Sequence, residues 1–283
     1  ELNCKRHMKD IFIFFIPTIA ASVYSILDKS VINWVTHDDA QNGYYEQAYK
    51  ILQICNVLVQ TLATVSAPRM SNVFANGNAV EFKKRLNRSM QFMLMISMPV
   101  AFGVCAISNS FVPVFFGPGY DPVVSILYIF MPLVVVLGFS VYLDGMYLVP
   151  SGRRLQSSLA VISGSCTNLI LNFILVKYWG AYGAAVATLL TEVLVSTIMI
   201  VMSKNMIEWN GLSKSMLKYF ACSMFMFVIV QQVSKITMNT LISLLIQVIC
   251  GVISYFVILL ALKDNMLMEY IDLLIEKIKK NNR

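Results

Sequence analysis

Asp28 and Lys29 are adjacent ionisable residues in an otherwise apolar run. Ile11 to Leu27 is seventeen residues without a charge, and the apolar character resumes at Val31 and Ile32. At about 1.5 Å rise per residue, the stretch 10–36 is long enough to cross a bilayer core of about 30 Å. A charged side chain at mid-bilayer costs roughly 2.5–3.5 kcal/mol on insertion scales, so a sequence seldom keeps one there without a use. Taken every third or fourth residue, Thr18, Ser22, Ser25, Lys29 and Asn33 make a polar stripe on one helical face. Such a stripe faces other helices or a water-filled cavity rather than lipid. The competing reading ends the helix at Leu27 and lets Lys29 snorkel to the interface; the stripe favours the first.

A second apolar stretch carries Glu46, Lys50, Gln53, Gln60 and Thr64 at near-helical steps, broken by Val57 and joined by Asn56. Glu46 and Lys50 are four apart and can pair along the helix. The plainer reading is an interfacial salt bridge, with Gln and Thr holding helices together; Lys50 lies deeper and points more to function. Further on, Ser165, Asn168 and Asn172 share one face, and Ala184, Thr188 and Glu192 share another. The connection between these two segments is very short, which makes them antiparallel neighbours and puts Ser165 near the depth of Glu192. A lone mid-span acid is the best single candidate for a protonatable group, the alternative being an acid kept neutral by Asn or Thr. Asp144, one turn from the end of its span, reads more as an interface residue.

No catalytic constellation is present. His7 and His37 fall on opposite sides of the membrane, and the chain has no HExxH, GxSxG, P-loop or dinucleotide fingerprint. The six cysteines are widely separated, mostly in apolar runs, and read as packers with no metal or disulfide role. No cofactor is implied. The polar interior holds Lys29 and Lys50, and a lysine-bearing cavity suits a phosphorylated amphiphile.

The elements that must position these groups are membrane helices. Apolar residues make up 58% of the 283 positions and charged ones only 13%, against about 25% charged in ordinary soluble chains. The pattern gives an all-α integral membrane protein with about eight spans, near 10–36, 44–67, 89–110, 123–148, 157–176, 182–203, 216–234 and 240–262. With the amino terminus in the cytoplasm, eighteen of the 22 lysines and arginines fall on that side. Lys177 and Lys235 fall on the other, and Lys29 and Lys50 within spans. Both termini are therefore expected in the cytoplasm. The basic residues are split among loops and make no continuous face for nucleic acid.

Between Pro68 and Arg88, Asn76-Gly77-Asn78 reads as a turn, and Phe82 with Leu86 as a short amphipathic helix on the inner surface. The segment 111–122 is rich in Pro and Gly and reads as a stiff turn. It has one acid, Asp121, and no base, which counts against a membrane glycosyltransferase or polymerase, enzymes that generally need a sizeable polar loop. After Lys263, Met268, Ile271, Leu274, Ile275 and Ile278 share a face, as in an interfacial helix. The chain opens on Glu1 without a signal-peptide pattern and is expected to be part of a longer polypeptide.

Several stretches resemble the Wzx-type oligosaccharide-lipid flippases, in the MOP superfamily with the MATE exporters and the lipid II flippase. They are FIPTIA at 15–20, YSILDKSVI at 24–32, GYYEQAYKI at 43–51, APRMSNVFANGN at 67–78, FVPVFFGPGY at 111–120, YLVPSGR at 147–153 and GAYGAAVATLLTE at 180–192. They follow the family's order over residues 10 to about 203.

The resemblance implies the carboxy-terminal six-helix lobe of a MATE-like transporter at 1–210, two additional helices at 211–262 and a cytoplasmic amphipathic helix at 263–283. It implies that the amino-terminal lobe is missing. The implied activity is flipping of undecaprenyl-diphosphate-linked oligosaccharide units across the bacterial cytoplasmic membrane, with no enzymatic step. Lys29, Lys50, Asn33 and Gln53 are then the cavity residues. Transport would be coupled to a proton or sodium gradient through Asp28, Glu46 or Glu192. Membrane lipids, a polysaccharide polymerase and a chain-length regulator are the implied partners. A drug or cation antiporter of the same superfamily would have a cavity dominated by carboxylates, and an inactive truncated remnant would carry nothing.

Overall fold

The computed structural model describes residues 28–236 and 241–281, where all regular structure is helical. Thr18, Ser22 and Ser25 of the first stripe, and Cys4, lie outside these residues. Helix α1 covers 28–36. It ends at a short corner where Thr36 Oγ1 donates back to the Ile32 carbonyl at 2.7 Å. Asp38 then caps α2 (Asp39–Ala75) by accepting from the Ala40 amide at 2.9 Å.

Helices α2 and α3 (Ala79–Phe116) run to 37 and 38 residues, about 55 Å at 1.5 Å per residue and so longer than a bilayer core. This corrects the expected connection from Pro68 to Arg88. It is two helix ends joined at Asn76-Gly77-Asn78, with Gly77 at φ 72° and Asn78 accepting from the Glu81 amide at 3.0 Å. Phe82 and Leu86 do not lie on a surface helix. They are buried in the first turns of α3. Pro68, Pro99 and Pro113 also sit within helices; long spans absorb a missing backbone bond where packing holds both sides. The stiff turn shrinks accordingly to the residues after Phe116, where Gly117 and Gly119 take φ of 84° and 93°.

Helix α4 (Asp121–Leu143) is apolar on every side and lies at the centre, between α2, α3 and α5. It runs into a π turn, Asp144–Leu148. Helix α5 (Arg154–Ser203) is two arms that reverse at Gly180, whose φ and ψ are 55° and −131°. Only glycine takes this corner readily, and space allows nothing else: a Cβ there would lie 1.8 Å from Gln41 Oε1, which accepts from the Ala181 amide at 2.9 Å. The arms lie against each other, since a Cβ on Gly164 would meet Val195 at 2.3 Å. The antiparallel pair expected at 157–176 and 182–203 is thus present.

Helices α6 (Trp209–Ile236) and α7 (Leu241–Ala261) form a pair on the far side of α3. α7 leaves Leu241, Ile242, Leu245, Ile249 and Ile253 exposed, the surface a lipid-facing span presents. The tail is helical as expected, α8 (Asn265–Asn281). It is capped by the buried Asp264, which accepts from the Leu267 amide and pairs with Lys218. Among the described residues six helices, α2 to α7, are long and apolar enough to cross a membrane, and one of the six is the folded α5. The chain is a multi-pass membrane protein.

Candidate functional site

Asp28 and Lys29 are consecutive on α1, so their side chains leave the helix about 100° apart. Asp28 turns inward and is 2% exposed. Its Oδ2 accepts from the Tyr45 hydroxyl at 2.7 Å and from Thr188 Oγ1 at 3.2 Å, and its Oδ1 accepts from Asn172 Nδ2 at 2.7 Å. Three elements supply these donors: α2 and the two arms of α5. Tyr45 is held by Tyr49, stacked with ring centroids 6.0 Å apart, and by the edge of Phe130. Asn172 also donates to Asn168 Oδ1 at 3.0 Å. Asn172 Oδ1 and Asn168 Nδ2 are left buried without partners among the described residues. Buried polar atoms are nearly always satisfied, so these two amide atoms set the surroundings of the carboxylate apart from an ordinary core.

Lys29 turns outward. Its Nζ donates to Glu46 Oε1 at 3.2 Å, and Lys50 Nζ approaches the same oxygen at 3.6 Å. The helical pair Glu46–Lys50 is present as expected, and the second lysine comes from α1. One carboxylate between two ammonium groups leaves the ladder with a net positive charge. All three side chains are at least one third exposed. Asn33 and Gln53 are exposed along α1 and α2, as are Gln60 and Thr64, whereas Asn56 is buried. Asn33 also lines a shallow open hollow with Trp34 and Phe173.

Glu192 lies one helical turn beyond Thr188 on the second arm of α5. It lines a cavity of about 200 Å³ between α4 and the α5 arms, together with Ser165, Thr191 and Asp144. The expected level of Ser165 and Glu192 is therefore met, and Asp144 joins them from the start of the π turn. Thr191 Oγ1 and one oxygen of Asp144 are buried without hydrogen-bond partners among the described residues.

Periodicity had separated Asn168, Asn172 and Thr188 from Asp28, and it had not singled out Tyr45 at all. The only available signal was that each lies on an inward face; which face meets which depends on tertiary packing. Among the described residues no group of three His, Cys, Asp or Glu side chains could hold a metal ion.

A family model described as a polysaccharide biosynthesis protein matches residues 3–125. A protein of Escherichia coli K12 described as an O-antigen transporter is 25% identical over 203 residues, covering 72% of this chain and 48% of that protein. A Haloferax volcanii protein described as a low-salt glycan biosynthesis flippase is 24% identical over 183 residues, 62% of this chain and 37% of the other. In fold, the chain matches the solved lipid II flippase MurJ in its inward closed conformation, with a TM-score of 0.73 at 18% identity over 89% of this chain and 54% of that one. The chain therefore spans only 37% to 54% of the length of these relatives. In sequence it is similar to proteins described as an O-antigen transporter and a glycan biosynthesis flippase, and in fold to a lipid II flippase.

Proposed function

We propose that the chain forms one half of a flippase for lipid-linked oligosaccharides, its α1–α2 face being a wall of the central cavity. The observation that carries this reading is the Lys29–Glu46–Lys50 ladder, net positive and exposed on helices apolar enough in the main to cross a membrane. Lipid does not tolerate such a face, and a diphosphate headgroup complements it. Asn33 and Gln53 extend the wall and are suited to sugar hydroxyls. The lysines outnumber the carboxylate two to one on this face, the reverse of what a drug or cation antiporter calls for.

In this reading the chain crosses the membrane eight times, counting the run that ends in α1 and both arms of α5. The excess of lysine and arginine puts both termini in the cytoplasm. Residues 1–210 form the lobe, 211–262 the added pair and 263–283 the surface helix. Asp28 is the coupling carboxylate for a proton or sodium ion: it is buried, its donors come from three elements, and unpartnered amide atoms lie beside it. A bound ion there would tie α1 to the α5 arms and so link occupancy to the shape of the wall. A polysaccharide polymerase and a chain-length regulator would receive the product.

The test is export of surface polysaccharide by the complete transporter carrying Lys29→Ala. Export should be lost while the protein accumulates normally. Undiminished export would remove the ladder from the substrate path.

A further inference from the structure

The opposite end of α2 bears a second concave site, which the flipping reading does not use. It lies where the end of α2, the start of α3 and α8 meet, and encloses about 850 Å³. Arg69 on α2 is 24 positions from Tyr45, about 35 Å along the helix axis, so this is no part of the Asp28 cluster.

Four cations line it. Arg85 is committed to Glu81, through Nε at 2.9 Å and Nη2 at 2.6 Å, and Arg88 is paired with Glu269 of α8. The side chains of Arg69 and Lys84 make no hydrogen bond or ion pair among the described residues. The floor holds Tyr142 of α4. It is 1% exposed, and its hydroxyl has no partner among the described residues. An orphaned buried hydroxyl is costly unless something fills the space it points to.

Basic residues at helix ends also set topology, and that role explains their charge. It does not explain a hollow, a buried tyrosine in its lining, or an α8 fixed across it by Glu269 and by Tyr270 on Phe92 with ring centroids 4.7 Å apart. Two uncommitted cations with a buried hydroxyl donor are the chemistry of a phosphate site, guanidinium giving paired donors and ammonium a point charge. The rim carries Phe92 and the fully outward Val80, 82% exposed, so the ligand has an apolar part as well. Basic hollows between helices at the headgroup level take anionic lipid.

We propose that the hollow between α2, α3 and α8 binds a phosphate ester, presented by the headgroup of an anionic phospholipid. It rests on the chain being a membrane protein and is indifferent to what the protein transports.

The experiment uses the full chain purified in a neutral detergent, read by its melting temperature against three probes: dihexanoyl phosphatidate, dihexanoyl phosphatidylcholine and inorganic diphosphate. Phosphatidate should raise the melting temperature saturably, phosphatidylcholine should not, and diphosphate should act more weakly. A diphosphate effect equal to that of phosphatidate would keep the phosphate site but overturn the lipid as its source. The double variant R69A/K84A should weaken phosphatidate binding by about tenfold, the loss of one or two charge-assisted hydrogen bonds. Tyr142→Phe should weaken it by about threefold while leaving the unliganded melting temperature unchanged or higher, because it removes an unsatisfied hydroxyl. Equal stabilisation by phosphatidylcholine, or undiminished phosphatidate binding in R69A/K84A and Tyr142→Phe, would overturn the proposal. Neither result would touch the export assay, which reads the other end of the molecule.

Discussion

Asp28 and Lys29 are neighbours in the chain with opposite circumstances. The acid is closed in by Tyr45, Asn172 and Thr188, while the base stands on an open face with Glu46 and Lys50. A charge buried among donors is part of what holds helices together; a charge left open contributes little to folding and is available to a substrate. In the proposed reading the pair divides the work between holding helices together and presenting a charged wall, and the division is set by the 100° step of one helix.

The largest effect should come from Asp28→Ala. It leaves Tyr45, Thr188 and Asn172 without their acceptor, and a loss of about 3 kcal/mol or more is expected, seen as poor accumulation or a much lower melting temperature. Near-normal stability in this variant would erase the contrast with Lys29. Gly180→Ala should follow, at about 1–3 kcal/mol, because the corner needs positive φ and Gln41 occupies the space a methyl group would take. It sharpens the comparison, since the corner brings Asn172 and Thr188 of the two arms to Asp28.

Thr188→Val should cost about 1–2 kcal/mol by removing one donor from the carboxylate, measurable by thermal melting. Lys29→Ala should change stability least, by about 1 kcal/mol or less for a partly exposed pair, while abolishing export. Equal thermal losses in Asp28→Ala and Lys29→Ala would show that the two residues do the same job.

The open half of this contrast was more legible in the sequence than the closed half. Lys50 and Glu46 are four apart on one helix, and the polar steps at Gln53, Gln60 and Thr64 announce the same face. Local periodicity carries that information. The partners of Asp28 are 17, 144 and 160 residues away in sequence, and nothing local says that Tyr45, Asn172 and Thr188 converge on one carboxylate. The hairpin at Gly180 was readable because its connection is so short. The ends of α2 and α3 were not, because proline is a poor stop signal in a long apolar helix whose neighbours hold it on both sides; Pro68 and Pro113 lie inside. Phe82 and Leu86 have the spacing of a surface helix, and only the packing of α3 against α2 and α4 buries them.

The most direct test of the open wall is its contact with water. Asn33→Cys and Gln53→Cys in the complete transporter should react with a charged, water-soluble maleimide above the background of the native thiols, while Leu245→Cys on the lipid-facing side of α7 should not. If Asn33→Cys and Gln53→Cys were as inert as Leu245→Cys, the α1–α2 face would lie against lipid or protein, and the account of a charged cavity wall would be contradicted.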